Sequence, residues 1–264
     1  AEGRLVVNAP HIPVHLGALG LCARAVAAEL DLDPGDTAVT NHPAYGGSHL
    51  PDVTLVTPVH APDGSRLLGY VASRAHHAEI GGSRPGSMPP GAKTLEEEGV
   101  IIKPIFLVRD GQARWQSLRD HLDSGAWPSR STADNIADLE AALAANHRGL
   151  HLLHQLVVDY SAEEMSRYMD LLRQEAAAGV RAAISQLPDG HREAVEKMDD
   201  GACIQVSIRV VGDAMTIDFS GSAAEHPGNL NATPAIVQSA VIYVLRLLAA
   251  DSGLPLNEGF LDPV

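Results

Sequence analysis

The sequence predicts an α+β fold, with a strand-rich region at 1–115, a helical region at 116–197 and a strand–helix region at 198–264. Three observations carry this. Short apolar runs with period-two alternation, broken by Gly, Pro and Asp turns, fill the first region. Apolar residues then recur at spacings of three and four through Ile136, Leu139, Leu143, Leu150, Leu153 and Val157. Strand alternation returns after Gly201, and the chain closes on an apolar helical run.

Taken in order, Leu5-Val6-Val7 reads as a strand, 16–30 as a helix, and 37–40 as a strand. Asp31-Leu32-Asp33-Pro34-Gly35-Asp36 supplies the break between the last two. The run 53–59 alternates, Ala61-Pro62-Asp63-Gly64 is a turn, and 67–76 is the return strand of the hairpin. The Gly/Pro-rich stretch 81–91 holds no regular structure, and 100–108 resumes a sheet of mixed strand direction. In the helical region, Ser161-Ala162-Glu163-Glu164 is a capping box. It starts a second helix with Met165, Met169, Leu172 and Val180 on one stripe, ended by Pro188-Asp189-Gly190. The two helices are expected to pack as an antiparallel pair. Strands at 204–211 and 215–219 flank a Gly212-Asp213 turn, and a helix follows at 234–250. The chain begins in a strand-like run and stops at Leu261-Asp262-Pro263-Val264 with no closing element. It therefore reads as one domain in part, a fragment of a larger one.

Composition narrows the function classes. The 264 residues are enough for a substantial core, and 45% hydrophobic with 20% charged is ordinary globular usage. The formal charge of -14 argues against nucleic acid as a partner, and 4% aromatics leave no stacking platform for bases. The acidity itself reads as solubility. No apolar run approaches a membrane span and no leader anatomy opens the chain, so a soluble, cytoplasmic protein is expected. Cys22 and Cys203 stand alone, which suits buried small hydrophobes and excludes a disulfide framework.

Histidine is where chemistry is to be sought. Seven of the thirteen imidazoles fall within the first 77 residues. The strongest constellation is Gly46-Gly47-Ser48-His49-Leu50-Pro51-Asp52, followed after the hairpin by Arg74-Ala75-His76-His77. Pairing in the hairpin returns His76 and His77 to the Leu50-Pro51 turn, and alternation sends them to opposite faces. One of the two therefore joins His49 and Asp52. Two imidazoles and a carboxylate with open positions suit Zn, Mn or Fe(II) and can activate water. The competing reading is a histidine cluster that hydrogen-bonds loops.

Other features are weaker. In Asn8-Ala9-Pro10-His11-Ile12-Pro13-Val14-His15 the prolines fix an extended path, so His11 and His15 can line the same pocket or cap loop carbonyls. Gly81-Gly82 and 86–91 can let backbone approach a ligand or form a lid. His147, His151 and His154, at helical spacing with no carboxylate pattern beside them, read as a solvated helix face. Neither a phosphate-cradling loop nor a dinucleotide fingerprint is present.

Together the segments 8–17, Asn41-His42-Pro43, 46–52 and 73–78 resemble the hydantoinase B/oxoprolinase family. So do 85–90, Asp134-Asn135-Ile136-Ala137-Asp138, 218–221 and 229–232. The likeness runs in order over nearly the whole chain, and Asn-Ala-Pro-His with Asn-His-Pro looks like the 5-oxoprolinase branch. One departure is Glu79, where an Asp is usual after the histidine pair. If that carboxylate serves the site, its reach differs by one methylene.

The resemblance implies the metal-binding catalytic half of an ATP-dependent cyclic-amide hydrolase, acting on 5-oxoproline or a hydantoin. ATP would be bound by a hydantoinase A-type partner half, in an oligomeric assembly. By motif position the implied ligands of the divalent metal are His49, Asp52 and His76. His77 or His15 would move protons, with Glu79 a third catalytic candidate. Two alternatives accompany this reading: the metal-bearing subunit of an ATP-dependent ketone carboxylase, and a non-catalytic assembly module.

Overall fold

A five-stranded antiparallel sheet with helices on both faces forms the larger part of the structure. A three-stranded antiparallel sheet forms the smaller part. The computed structural model describes residues 3–9, 12–249 and 253–264; His11 and Ala250 of the expected elements lie outside them. A single turn at Pro13–His15 leads into α1 (Ala18–Glu29) and β1 (Thr37–Thr40). After a turn at Pro43–Tyr45 come β2 (Asp52–His60), β3 (Leu67–His76), a one-turn α2 (Leu95–Glu98), β4 (Ile105–Arg109) and β5 (Gln112–Ala113). The helices α3 (Trp115–Leu122), α4 (Thr132–Tyr160) and α5 (Ala162–Ile184) follow. The chain then forms β6 (Gly190–Lys197), β7 (Cys203–Val211), β8 (Ala214–Asp218), α6 (Pro234–Ala249) and a turn at Glu258–Leu261.

The first sheet runs β3-β2-β1-β4-β5 and the second β6-β7-β8. Every pairing is antiparallel. Tight hairpins link β2 to β3, β4 to β5 and β7 to β8, and a two-ended turn of that length cannot join parallel strands. Alternation on β2 decides what each face of the first sheet meets. Val53 and Leu55 point to α3 and α4, packing with Leu118, Leu122, Ile136 and Leu139. Val56, with Ala38 of β1, points the other way onto Cys22, Ala23 and Val26 of α1. Each such fully buried aliphatic side chain contributes about 1.5–3 kcal/mol of transfer free energy.

The two long helices meet at Ser161, whose φ of 74° reverses the chain and whose hydroxyl accepts from the Glu164 amide. Near that junction Leu150, Leu153 and Val157 of α4 share a cluster with Met165 and Met169 of α5. Farther on they part. The body of α4 covers the first sheet, whereas Ala176, Val180 and Ile184 of α5 pack on Ile242 and Leu245 of α6 and on the second sheet.

Three sequence readings are corrected by partners far along the chain. Leu5-Val6-Val7 is not a strand: the Leu5 carbonyl accepts from the Glu258 amide and its amide donates to the Glu258 carboxylate, so no strand is left to pair with. Residues 100–104 do not join the sheet, because Asn41 takes up the Val100 carbonyl and the Ile102 amide. Gly190–Lys197, inside the region read as helical, is the edge strand β6. All eight of its residues are exposed, so no apolar alternation marked it.

Candidate metal centre

The β2–β3 hairpin builds the site. Its register sets Asp52 directly opposite His76, at the open end of the two strands. Partners across an antiparallel pair project from the same face, here the α1 face. The turn that leads into β2 carries His49, three residues before Asp52, and is held in shape by Asn41. The Asn41 Nδ2 donates to the Leu50 carbonyl at 2.9 Å. Gly46, at the start of this turn, has φ 81°, and a Cβ there would stand 2.5 Å from the Cys22 amide nitrogen of α1. Only glycine fits that approach. Arg74, on the same sheet face as His76, donates to the Gly46 carbonyl at 2.9 Å and to Thr54 Oγ1 at 2.7 Å.

Asp52 is 0% exposed, yet the nitrogens around it are imidazoles rather than a Lys or Arg. His76 Nδ1 lies 3.2 Å from Oδ1 and His49 Nδ1 lies 3.2 Å from Oδ2. The two rings stand edge to face, with centroids 4.9 Å apart. His15, from the turn before α1, brings its Nε2 to 3.8 Å from Oδ1. Ser48 Oγ donates to Oδ2 at 2.5 Å and fixes the carboxylate plane. The donor atoms of His49, Asp52 and His76 lie within 4.8 Å of one another, and they form the one such cluster among the described residues.

The donor set suits a divalent cation, although His76 and Ser48 also hydrogen-bond to the carboxylate. Despite its 3.2 Å approach to Asp52, the His49 Nδ1 is buried without a hydrogen bond, and so is the His15 Nδ1. An imidazole nitrogen that lies beside a carboxylate without sharing its proton keeps a lone pair for a cation. Burial pushes the His15 and His49 imidazoles below their usual value of 6.5, against the pull of Asp52 and assisted by the charge of Arg74. Neutral imidazole is the ligating form.

The other two residues proposed for catalysis sit elsewhere. His77 follows His76, and its amide continues the ladder onto the Pro51 carbonyl at 2.8 Å. Its side chain therefore turns to the opposite face, where it is 1% exposed and its Nδ1 lies 3.0 Å from Asn135 Nδ2 on α4. Burial lowers the pKa of this imidazole as well. Glu79 accepts from the Gly81 amide, the Arg130 amide and guanidinium, and Ser129. Burial raises its pKa, but those hydrogen bonds outweigh it and hold the carboxyl below the ordinary range. Thus the structure brings together His15, His49, Asp52 and His76, and gathers His77 and Glu79 in a separate network under the start of α4.

Sequence reasoning did not single out Ser48, Arg74 or Asn135 as parts of these networks, since no spacing rule marks a hydroxyl, guanidinium or amide for such a role. Of the histidines read as a solvated face, His147 and His151 are exposed, while His154 Nε2 donates to the His60 carbonyl at 2.9 Å.

Metal-free protein should lose stability on acidification. His15, His49 and His77 have lowered pKa values when folded, so below the usual 6.5 the unfolded chain binds more protons than the folded one. Stability is present above that value and falls with pH beneath it. Thermal melts of metal-stripped protein from about pH 8 to about pH 5 should show a falling midpoint, the histidine titration range. A flat profile would contradict the burial of these imidazoles.

Comparison with known proteins places this site in context. The model of the family described as "Hydantoinase B/oxoprolinase" matches residues 1–264. The 5-oxoprolinase of Saccharomyces cerevisiae is 40% identical over 278 residues, covering 100% of this chain and 22% of that protein. The 5-oxoprolinase 1 of Arabidopsis thaliana is 39% identical, covering 100% and 23%. The chain thus spans about a fifth of the length of these curated relatives. The ATP-dependent caprolactamase of Pseudomonas jessenii superimposes with a TM-score of 0.88 at 26% identity, over 99% of this chain and 45% of that one. The nucleotide-free structure of acetone carboxylase shares the fold, with a TM-score of 0.84 at 18% identity, over 98% of this chain and 36% of that one.

Proposed function

The chain belongs to the hydantoinase B/oxoprolinase family, and on that premise we propose that it is the metal-bearing part of an ATP-dependent hydrolase that opens 5-oxoproline to glutamate. The observation that carries this is the gathering of ligand atoms of His49 and His76 around the buried Asp52 carboxylate, all within 4.8 Å of one another. The substrate is supported by the identity of about 40% to the 5-oxoprolinases and by the likeness to a second lactam-opening enzyme.

A lactam carbonyl is a poor electrophile. Phosphorylation of its oxygen by ATP, bound on a hydantoinase A-type half and released as ADP, would make the carbon attackable by water. The ring C–N bond would then break with its nitrogen protonated, and a second water would free phosphate from the resulting acyl phosphate. A divalent cation, Zn, Mn or Fe(II), held by His49, Asp52 and His76 would supply Lewis acidity beside that carbon. The residues of this chain do the rest. Asp52, oriented by Ser48, fixes the two imidazoles about itself. His15, kept neutral by burial, takes the proton of the attacking water at Nε2. Arg74 holds the Gly46 turn and adds positive charge that favours an anionic, phosphorylated substrate. His77 and Glu79 carry no step, since their contacts lie under α4.

The test uses the complete protein with ATP and 5-oxoproline, measuring glutamate released. His15→Ala should lower turnover by about 100-fold or more, the usual range for a lost general base, while metal content per chain stays unchanged. No ATP-dependent glutamate from the unaltered protein would discard this substrate. Full turnover by His15→Ala would discard the role of His15.

A further inference from the structure

The metal ligand His76 is weakly held by its own surroundings. Its side chain is 47% exposed, and its ring meets the Asp52 carboxylate and the His49 ring. The ladder to β2 ends here, at His76 and the His77 amide, and the next anchors of the chain lie on the other side of the sheet. Asn135, in the first turn of α4 and 2% exposed, donates from Nδ2 to the Glu79 carbonyl at 2.6 Å. The same Nδ2 stands 3.0 Å from His77 Nδ1, and the Asn135 Oδ1 accepts from Ser129 Oγ at 2.5 Å.

The polarity of this network is decided at one end. A backbone carbonyl can only accept, so the atom facing the Glu79 carbonyl must be the amide NH2 of Asn135. Its second hydrogen then points at His77 Nδ1, which must offer a lone pair. His77 is thereby held with its proton on Nε2. The Asp138 carboxylate, 3.9 Å from the same Nδ1, would favour the opposite arrangement and is outcompeted by the closer amide. Two anchor points, the His77 ring and the Glu79 carbonyl, then tie residues 77–79 to α4 immediately after the ligand.

We propose that Asn135 is a positioning residue of the metal centre, which locks the His77 tautomer and through it the end of β3 that presents His76. This rests on the metal reading given above. It adds a role for the otherwise unused His77: a buried peg whose hydrogen bond sets the ligand beside it. Groups that orient a ligand from behind typically change metal affinity about 10- to 100-fold when removed.

The test has two arms on the complete protein. In the first, nitrogen NMR of unaltered protein labelled with 15N-histidine, with His77 assigned by its loss in His77→Ala, should show a bare Nδ1 and a protonated Nε2. A proton on Nδ1 overturns the proposal without any variant needing to fold. In the second, Mn(II) affinity is read by EPR for Asn135→Ala, His77→Ala and the double variant. Asn135→Ala should weaken binding by about 10- to 100-fold. In the His77→Ala background the same change should cost less than it does in the unaltered protein, the remainder being the Glu79 anchor. Fully additive losses would show that Asn135 does not act through His77, and overturn the proposal. Absence of Mn(II) binding by the unaltered protein would overturn the metal reading itself, and the tautomer measurement then decides on Asn135 alone.

Discussion

Asp52→Ala is expected to strip the protein of metal while leaving its metal-free fold intact. Two imidazoles remain in place, but they hold a divalent cation poorly. Loss of a group that merely supports a ligand lowers affinity about 10- to 100-fold, so loss of the shared carboxylate should do at least that. The stability expectation runs the other way. Asp52 is 0% exposed and has no cationic side chain of Lys or Arg in contact, so burying its charge without metal is costly. The metal-free variant should therefore melt no lower than metal-free wild type. Metal content per chain after identical purification is the measurement, with His49→Ala and His76→Ala expected to behave alike. His77→Ala should retain more metal than these, and His151→Ala, on the exposed side of α4, should retain all of it. Full occupancy in Asp52→Ala or His49→Ala would defeat the assignment. A large drop in the melting point of metal-free Asp52→Ala would show that the carboxylate is structural.

The second large effect is expected at Asn41, which touches neither metal ligand nor substrate. Its side chain is 1% exposed and makes three buried hydrogen bonds: Nδ2 to the Leu50 and Val100 carbonyls, at 2.9 and 2.8 Å, and Oδ1 from the Ile102 amide, at 2.7 Å. Asn41→Ala leaves all three backbone groups without partners away from water. At about 1–3 kcal/mol for each unsatisfied group, the loss should total about 3 kcal/mol or more. Denaturant unfolding should show it as a lowered midpoint with unchanged slope. Because the Leu50 carbonyl belongs to the turn between His49 and Asp52, metal affinity should fall as well. A loss below about 1 kcal/mol would mean that water replaces these bonds, as it does for exposed groups.

Much of the site was legible because its elements are local. A hairpin with a short turn has its register set by the turn and by the buried face. The opposition of Asp52 and His76, and the divergence of His76 from His77, therefore follow from strand geometry alone. The His49–Asp52 spacing needs only one turn. The same holds for α4, α5 and α6, whose apolar periodicity spans many residues, and for the hairpin at 212–213. What misled the reading was sequence signal whose meaning lies elsewhere in the chain. Leu5-Val6-Val7 has strand chemistry, but its backbone partner is Glu258, more than 250 residues away. The run at 100–104 has its hydrogen bonds taken up by the Asn41 side chain and amide, Thr40 and Ile80 instead of a strand.

Local sequence thus determined the α+β class, the hairpin that aligns a carboxylate with an imidazole, and the donor types of the candidate metal centre. Periodicity and spacing act over a few residues, and they fix which face a side chain takes. Only the tertiary structure decided that His15 reaches the same carboxylate, that Glu79 is spent on Arg130, and that His77 is pegged by Asn135. Those choices depend on which helix covers which face of the sheet. Side chains such as Asn, Ser and Arg take whatever partner the packing brings within about 3 Å, and no pattern along the chain encodes that meeting.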